Sequence, residues 1–150
     1  MLRFDASLFS LAAQFTGKYA PCQGITVSPL TSDDTGSRVR RGVVVTASDR
    51  GAATFLALDP HGTADEEAAF IPDDELIKAA RGIKTATREL LIEEGRATVT
   101  TFRKTTSESK EFPVHRTGQR LPDLPGTIAK AVEYWSATPE LTTTAGRYDR

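Results

Sequence analysis

Among 150 residues there is a single cysteine, Cys22. An internal disulfide framework is excluded, and a reducing, cytoplasmic setting is the expectation. No apolar run approaches the ~20 residues that span a bilayer, so no membrane association is expected. Residues 1–5 lack the basic-then-apolar order of a signal peptide. An excess of one charge is missing too: 19 Lys and Arg stand against 20 Asp and Glu, a net charge of −1. Any contact with nucleic acid then needs a local basic surface, because summed charge supplies no attraction.

The groups of a catalytic or metal centre are equally sparse. Cys22, His61 and His115 lie far apart, without the local signature of a nucleophile and its base. Asp59, His61, Asp65, Glu66 and Glu67 have neither the spacing of a calcium loop nor the His/Cys pattern of zinc, and are expected to form an acidic loop over 59–67. No glycine-rich phosphate loop precedes a helix. Neither an enzyme nor a cofactor is expected.

What is present suits one globular domain: 39% hydrophobic and 26% charged residues, in a chain long enough for a sizeable core. Residues 2–4 read as a strand, and Asp5 can cap a helix over 6–16. In that helix Leu8, Leu11, Ala12 and Phe15 repeat at helical spacing, Gly17 is the stop, and Lys18 lies at the negative end of the dipole. Strands are expected over 24–28, 41–47 and 52–58, with a polar loop at 31–37 and turn chemistry at 48–51. A second unit follows: a short strand, then Pro72 and the acids Asp73, Asp74 and Glu75, then a helix through Ile83. Strands over 89–93 and 96–103 flank a tight Glu94-Gly95 turn, and a last strand covers 110–115 after a polar loop at 104–108. A further helix over 127–137 carries Ile128, Ala131, Val132 and Trp135 on one face, for packing on the domain or on another subunit. Residues 138–150 form a polar tail.

The two helices align at a constant offset: Leu8, Phe9, Leu11, Ala12 and Phe15 against Leu76, Ile77, Ala79, Ala80 and Ile83. With the same element order around each, the chain reads as an internally duplicated α+β unit, both helices on one face of antiparallel sheet.

Three segments carry a family resemblance: Val43-Val44-Val45-Thr46-Ala47-Ser48-Asp49; Ile71-Pro72 with the helix ending Ala80-Arg81-Gly82-Ile83; and Phe112-Pro113 leading to Gly118-Gln119-Arg120-Leu121-Pro122-Asp123. In order and spacing they resemble one domain of the bacterial DNA polymerase III beta subunit, the sliding clamp. Where turns of that family often read Asp-Gly-His-Arg, this chain has Asp49-Arg50-Gly51-Ala52. The resemblance implies a DNA-clamp-like domain of two βαβββ repeats over 1–124, divided at about 66/67, with the helix at 125–137 outside it. It further implies a non-enzymatic processivity role in DNA replication: sequence-independent binding of duplex DNA, or tethering of replication proteins. The familiar subunit holds several such domains and this chain one, so a ring implies a homo-oligomer or additional chains. The alternative is a clamp-fold protein-binding module, a modulator or decoy of clamp partners, that forms no ring.

The residues suited to phosphate contact are Lys78 and Arg81, opposite the apolar face of the second helix, with Lys84 and Arg88 just beyond it and Lys18 after the first helix. The same charges also fit a solvated helix with acids first and bases last. Arg38, Arg40 and Arg41 precede an outer strand and are read as solvated.

Overall fold

The computed structural model describes residues 1–16, 24–30, 40–48 and 54–117, together with Glu133. Outside the described residues lie Gly17, Lys18, Cys22, the loop expected at 31–37, residues 49–51 of the turn expected at 48–51, the linker at 118–123, and the terminal helix and tail with Trp135, Glu133 excepted.

Among the described residues, nine strands and two short helices follow in the order β1 (Leu2–Asp5), α1 (Ala6–Ala13), β2 (Ile25–Pro29), β3 (Arg40–Ser48), β4 (Thr54–Ala64), β5 (Ala68–Ile71), α2 (Asp74–Ala80), β6 (Thr87–Glu93), β7 (Arg96–Phe102), β8 (Ser107–Pro113) and β9 (His115–Arg116). The fold is α+β, and every strand pairing is antiparallel. Along the sheet the order is β8-β7-β6-β1-β4-β3-β2-β5-β9. Its two ends are one piece of chain, because only Val114 separates β8 from β9. The Val114 N–H donates to the Gly95 carbonyl at 3.1 Å, which fixes that junction.

Alternation explains the core. Phe4 and Leu2 of β1, Ile25 and Val27 of β2, Val43, Val45 and Ala47 of β3, and Leu90 and Ile92 of β6 are all buried, their intervening neighbours turned to the other face. The helices close this layer and touch each other: α1 lies against β1, β2, β3, β4 and β6, and α2 against β6 and β7. Phe9, Leu76 and Ala80 are fully buried in the same cluster. No helix among the described residues is long and apolar enough to cross a membrane.

Several expectations are corrected. The stripe of α1 centres on Phe9, with Ala6 and Ala12 buried beside it, whereas Leu11 is 44% exposed. Small residues on either side of an aromatic ring let the helix approach the sheet closely, so ring burial prevails over the Leu8–Leu11 spacing. Ordinary helix stops at Ala13; Gln14 and Phe15 continue it only through tighter i→i−3 bonds.

The second helix ends at Ala80, where Arg81 turns extended with ψ 132°. Ile83 then bridges Ala86 in a tight reversal instead of adding a helical turn. Gly82, the poorest helix former here after proline, sits at that break, and a Cβ on it would come within 3.3 Å of the Ser7 Cβ.

The acidic segment is largely strand rather than loop. β4 runs through to Ala64, and Asp59 lies within it, accepting the Asp5 N–H at 2.8 Å and the His61 N–H at 3.0 Å. Its middle is bulged: Pro60, His61 and Gly62 stand opposite Gly42 alone. Pro60 has no N–H to offer a ladder, and Gly42 takes φ +85° there. β8 likewise starts at Ser107, inside the expected loop. The Glu94-Gly95 turn is as the sequence predicts. Both residues have positive φ, 48° and 77°, the type I′ geometry that matches strand twist.

Candidate functional site

The surface around the C-terminal end of α2 is where the described basic residues gather. The acids Asp74 and Glu75 occupy the first turn of the helix and Lys78 the last, matching its dipole. Lys78 pairs with Glu75 at 3.6 Å, with both side chains more than two-thirds exposed. That pair is worth little energetically and leaves Lys78 in water. Arg81 and Lys84 are exposed and take part in no ion pair among the described residues.

Arg88 is placed differently from the other three. The reversal at residues 81–86 puts it on β6, not on a continued helix face, and it is half-buried. Its Nε–H donates to Thr101 Oγ1 at 3.1 Å, and an Nη1–H donates to the Arg81 carbonyl. That carbonyl is one of the acceptors a helix end leaves without a partner, so Arg88 ties the end of α2 to the sheet.

Strand register brings two further cations to this place. Arg88 is opposite Thr101, which is opposite Glu108; one step along the same face, Leu90 is opposite Val99, which is opposite Lys110. Leu90 and Val99 belong to the core, so this row lies on the helix-bearing face. Ala79 of α2 completes a shallow depression lined by Arg88, Val99, Thr101, Arg103, Glu108 and Lys110. Arg103 and Lys110 are absent from the residues singled out in the sequence. Counting outward from the Glu94-Gly95 turn places Arg88 across from Thr101, but 104–108 has no turn signature that fixes where β8 begins. Lys110 therefore cannot be placed before the pairing is known.

The other candidate centres stay dispersed. His61 and His115 are both exposed, one on β4 and one on β9. Among the described residues no group of three His, Cys, Asp or Glu is close enough to hold a metal. Glu66 and Arg116 form a two-pronged ion pair, each guanidinium Nη meeting one carboxylate oxygen. The hydrogen bonds from Arg116 hold the Glu66 carboxyl below its ordinary value, and the same bonds raise Arg116. Arg116 also lies 5.8 Å over the Phe70 ring, so this pair secures β5 and β9.

No protein-family model matches the chain, and no curated protein matches it.

Proposed function

We propose that the chain is a non-enzymatic, clamp-like domain of two βαβββ repeats that engages duplex DNA through phosphate contacts without reading bases. The repeat finds support in the pairing register. Leu2 and Arg3 of β1 pair with Ala64 and Thr63 of β4, and Phe70 and Ile71 of β5 pair with Arg116 and His115 of β9. The offset that superposes Leu2 on Phe70 is the one that aligns the two helices. Each leading strand also pairs with the strand following the other unit's helix, β1 with β6 and β5 with β2.

The observation that carries the DNA part is the cluster at the end of α2. There Arg81 and Lys84 are exposed and unpaired among the described residues, beside an Arg88 fixed by two hydrogen bonds. Lys78 belongs to the same surface, and Lys18 to the end of the first helix in sequence. Phosphate contacts of this kind release counterions, so duplex affinity falls steeply with salt. Fluorescence anisotropy of a labelled duplex across a salt series tests this. Arg81→Gln with Lys84→Gln is expected to lower the magnitude of the log–log slope by about 2. Binding that ignores salt, or no binding at all, sinks the DNA assignment.

One observation favours the second reading, a protein-binding module. From Thr54 to Asp59, β4 pairs only with β3 among the described residues, which leaves one side of the strand free, and Leu56 and Leu58 there are 41% and 48% exposed. Two exposed leucines on one face of a strand with a free side suit a protein partner better than they suit DNA.

A further inference from the structure

We propose that the depression between α2 and the β7–β8 hairpin is a phosphate-binding site, with Arg88, Thr101, Arg103 and Lys110 as its donors. Three cations and one carboxylate, Glu108, line it. None of Arg103, Lys110 and Glu108 enters an ion pair among the described residues, and Glu108 offsets only one of the three positive charges, so a net positive charge faces the depression. Like charges held together in this way repel unless an anion joins them.

Two of the four donors, Arg88 and Thr101, are also held in place. Arg88 cannot swing away, because its Nε–H is held by Thr101 and one Nη1–H by the Arg81 carbonyl. Its remaining N–H groups have no acceptor among the described residues. Thr101 Oγ1 accepts from Arg88, which leaves the hydroxyl proton for a second acceptor. A fixed guanidinium, a hydroxyl donor and a lysine ammonium converging on a small hollow suit the tetrahedral oxygens of a phosphate, whose several acceptors take charge-assisted bonds from all of them. Val99, 4% exposed, forms the apolar floor beside them, which strengthens these bonds relative to open water.

The shared chemistry fits a backbone phosphate of duplex DNA or a free phosphate. In the first case this site adds Arg103 and Lys110 to the proposed DNA contacts and rests on the DNA assignment; in the second it stands without it.

The full chain would be titrated with inorganic phosphate while NMR follows the Arg88 Nε–Hε signal and the Thr101 and Lys110 amides. In parallel, a labelled duplex would be followed by anisotropy. Lys110→Gln and Arg103→Gln are each expected to weaken phosphate binding about fivefold or more, the loss of one charge-assisted bond. Lys104→Gln removes the same charge from an exposed neighbour outside the depression and is expected to change it less than about twofold. Glu108→Gln is expected to tighten binding, a gain that general destabilisation does not produce. If phosphate shifts these signals and the duplex obeys the same variants, the site is one of DNA contact. If phosphate does so and the duplex does not bind, the site takes a small phosphate and the DNA assignment falls. If the duplex binds but Lys110→Gln and Arg103→Gln behave like Lys104→Gln, the proposed site is overturned and the DNA assignment survives. Binding of neither probe overturns both.

Discussion

Gly62 shows how tightly single positions are specified. A Cβ there would stand 2.8 Å from Val43 Cγ2 and 3.0 Å from the Arg3 carbonyl, between a buried side chain and a backbone atom. Neither can retreat cheaply, because Val43 is in the core and Arg3 belongs to a paired strand. Gly62→Ala is accordingly expected to destabilise by about 1–3 kcal/mol in chemical denaturation. An unchanged midpoint would mean that β1 and β3 are farther from β4 than described.

The Glu66–Arg116 pair makes a smaller, pH-dependent contribution. The Glu66 pKa is lowered below its ordinary 4.5 in the folded chain, so the stabilisation is complete above that value and is lost as pH falls through the lower folded one. Both side chains are 40% or more exposed, and solvent screening keeps the pair under about 1 kcal/mol. Glu66→Gln is expected to be that much less stable at neutral pH, and the difference from the parent chain is expected to vanish once the pH is low enough to protonate the parent's own carboxyl. A gap that persists at low pH would point to packing, not charge.

At the scale of elements, the two helix starts look alike in sequence and differ in physics. Asp5 accepts the Ser7 N–H at 2.9 Å and the Ser7 hydroxyl at 2.8 Å, whereas Asp73 makes no side-chain cap bond. Asp5→Ala is expected to cost about 0.5–2 kcal/mol and Asp73→Ala only a few tenths, with thermal unfolding as the measurement. Equal losses would refute this account. Most strands and both helix starts were legible because alternation, turn chemistry and capping are local, but the last strand expected over 110–115 is two, β8 ending at Pro113 and β9 starting at His115. The buried face of α1 and the end of α2 were not, since Leu11 and Ile83 fit the period but lost their places to Phe9 and to the reversal at Gly82. The extent of β4 was hidden because its acids read as loop, although Asp59 is held in the strand by bonds to Asp5 and His61. The candidate site was half legible. Lys78, Arg81 and Lys84 follow from the helix, but Arg103 and Lys110 arrive through a register that only the folded sheet sets.

For the molecule as a whole, the question is which sides of the sheet remain open. Among the described residues the free strand sides are the first half of β4, β8, and the two-residue β9. They are guarded differently. β8 carries Glu108, Lys110 and Glu111 and ends in Pro113, all of which discourage a second strand from adding there. β4 offers Leu56 and Leu58 with no charge between them. If copies associate through the sheet, β4 is therefore the side that pairs. Light scattering on the full chain and on Leu58→Lys checks this. The parent is expected to be oligomeric, and the variant is expected to dissociate while keeping its stability within about 0.5 kcal/mol, as an exposed substitution on a monomer does. A parent that is monomeric at high concentration removes self-assembly from the proposed function. An oligomer indifferent to Leu58→Lys places its contacts elsewhere than β4.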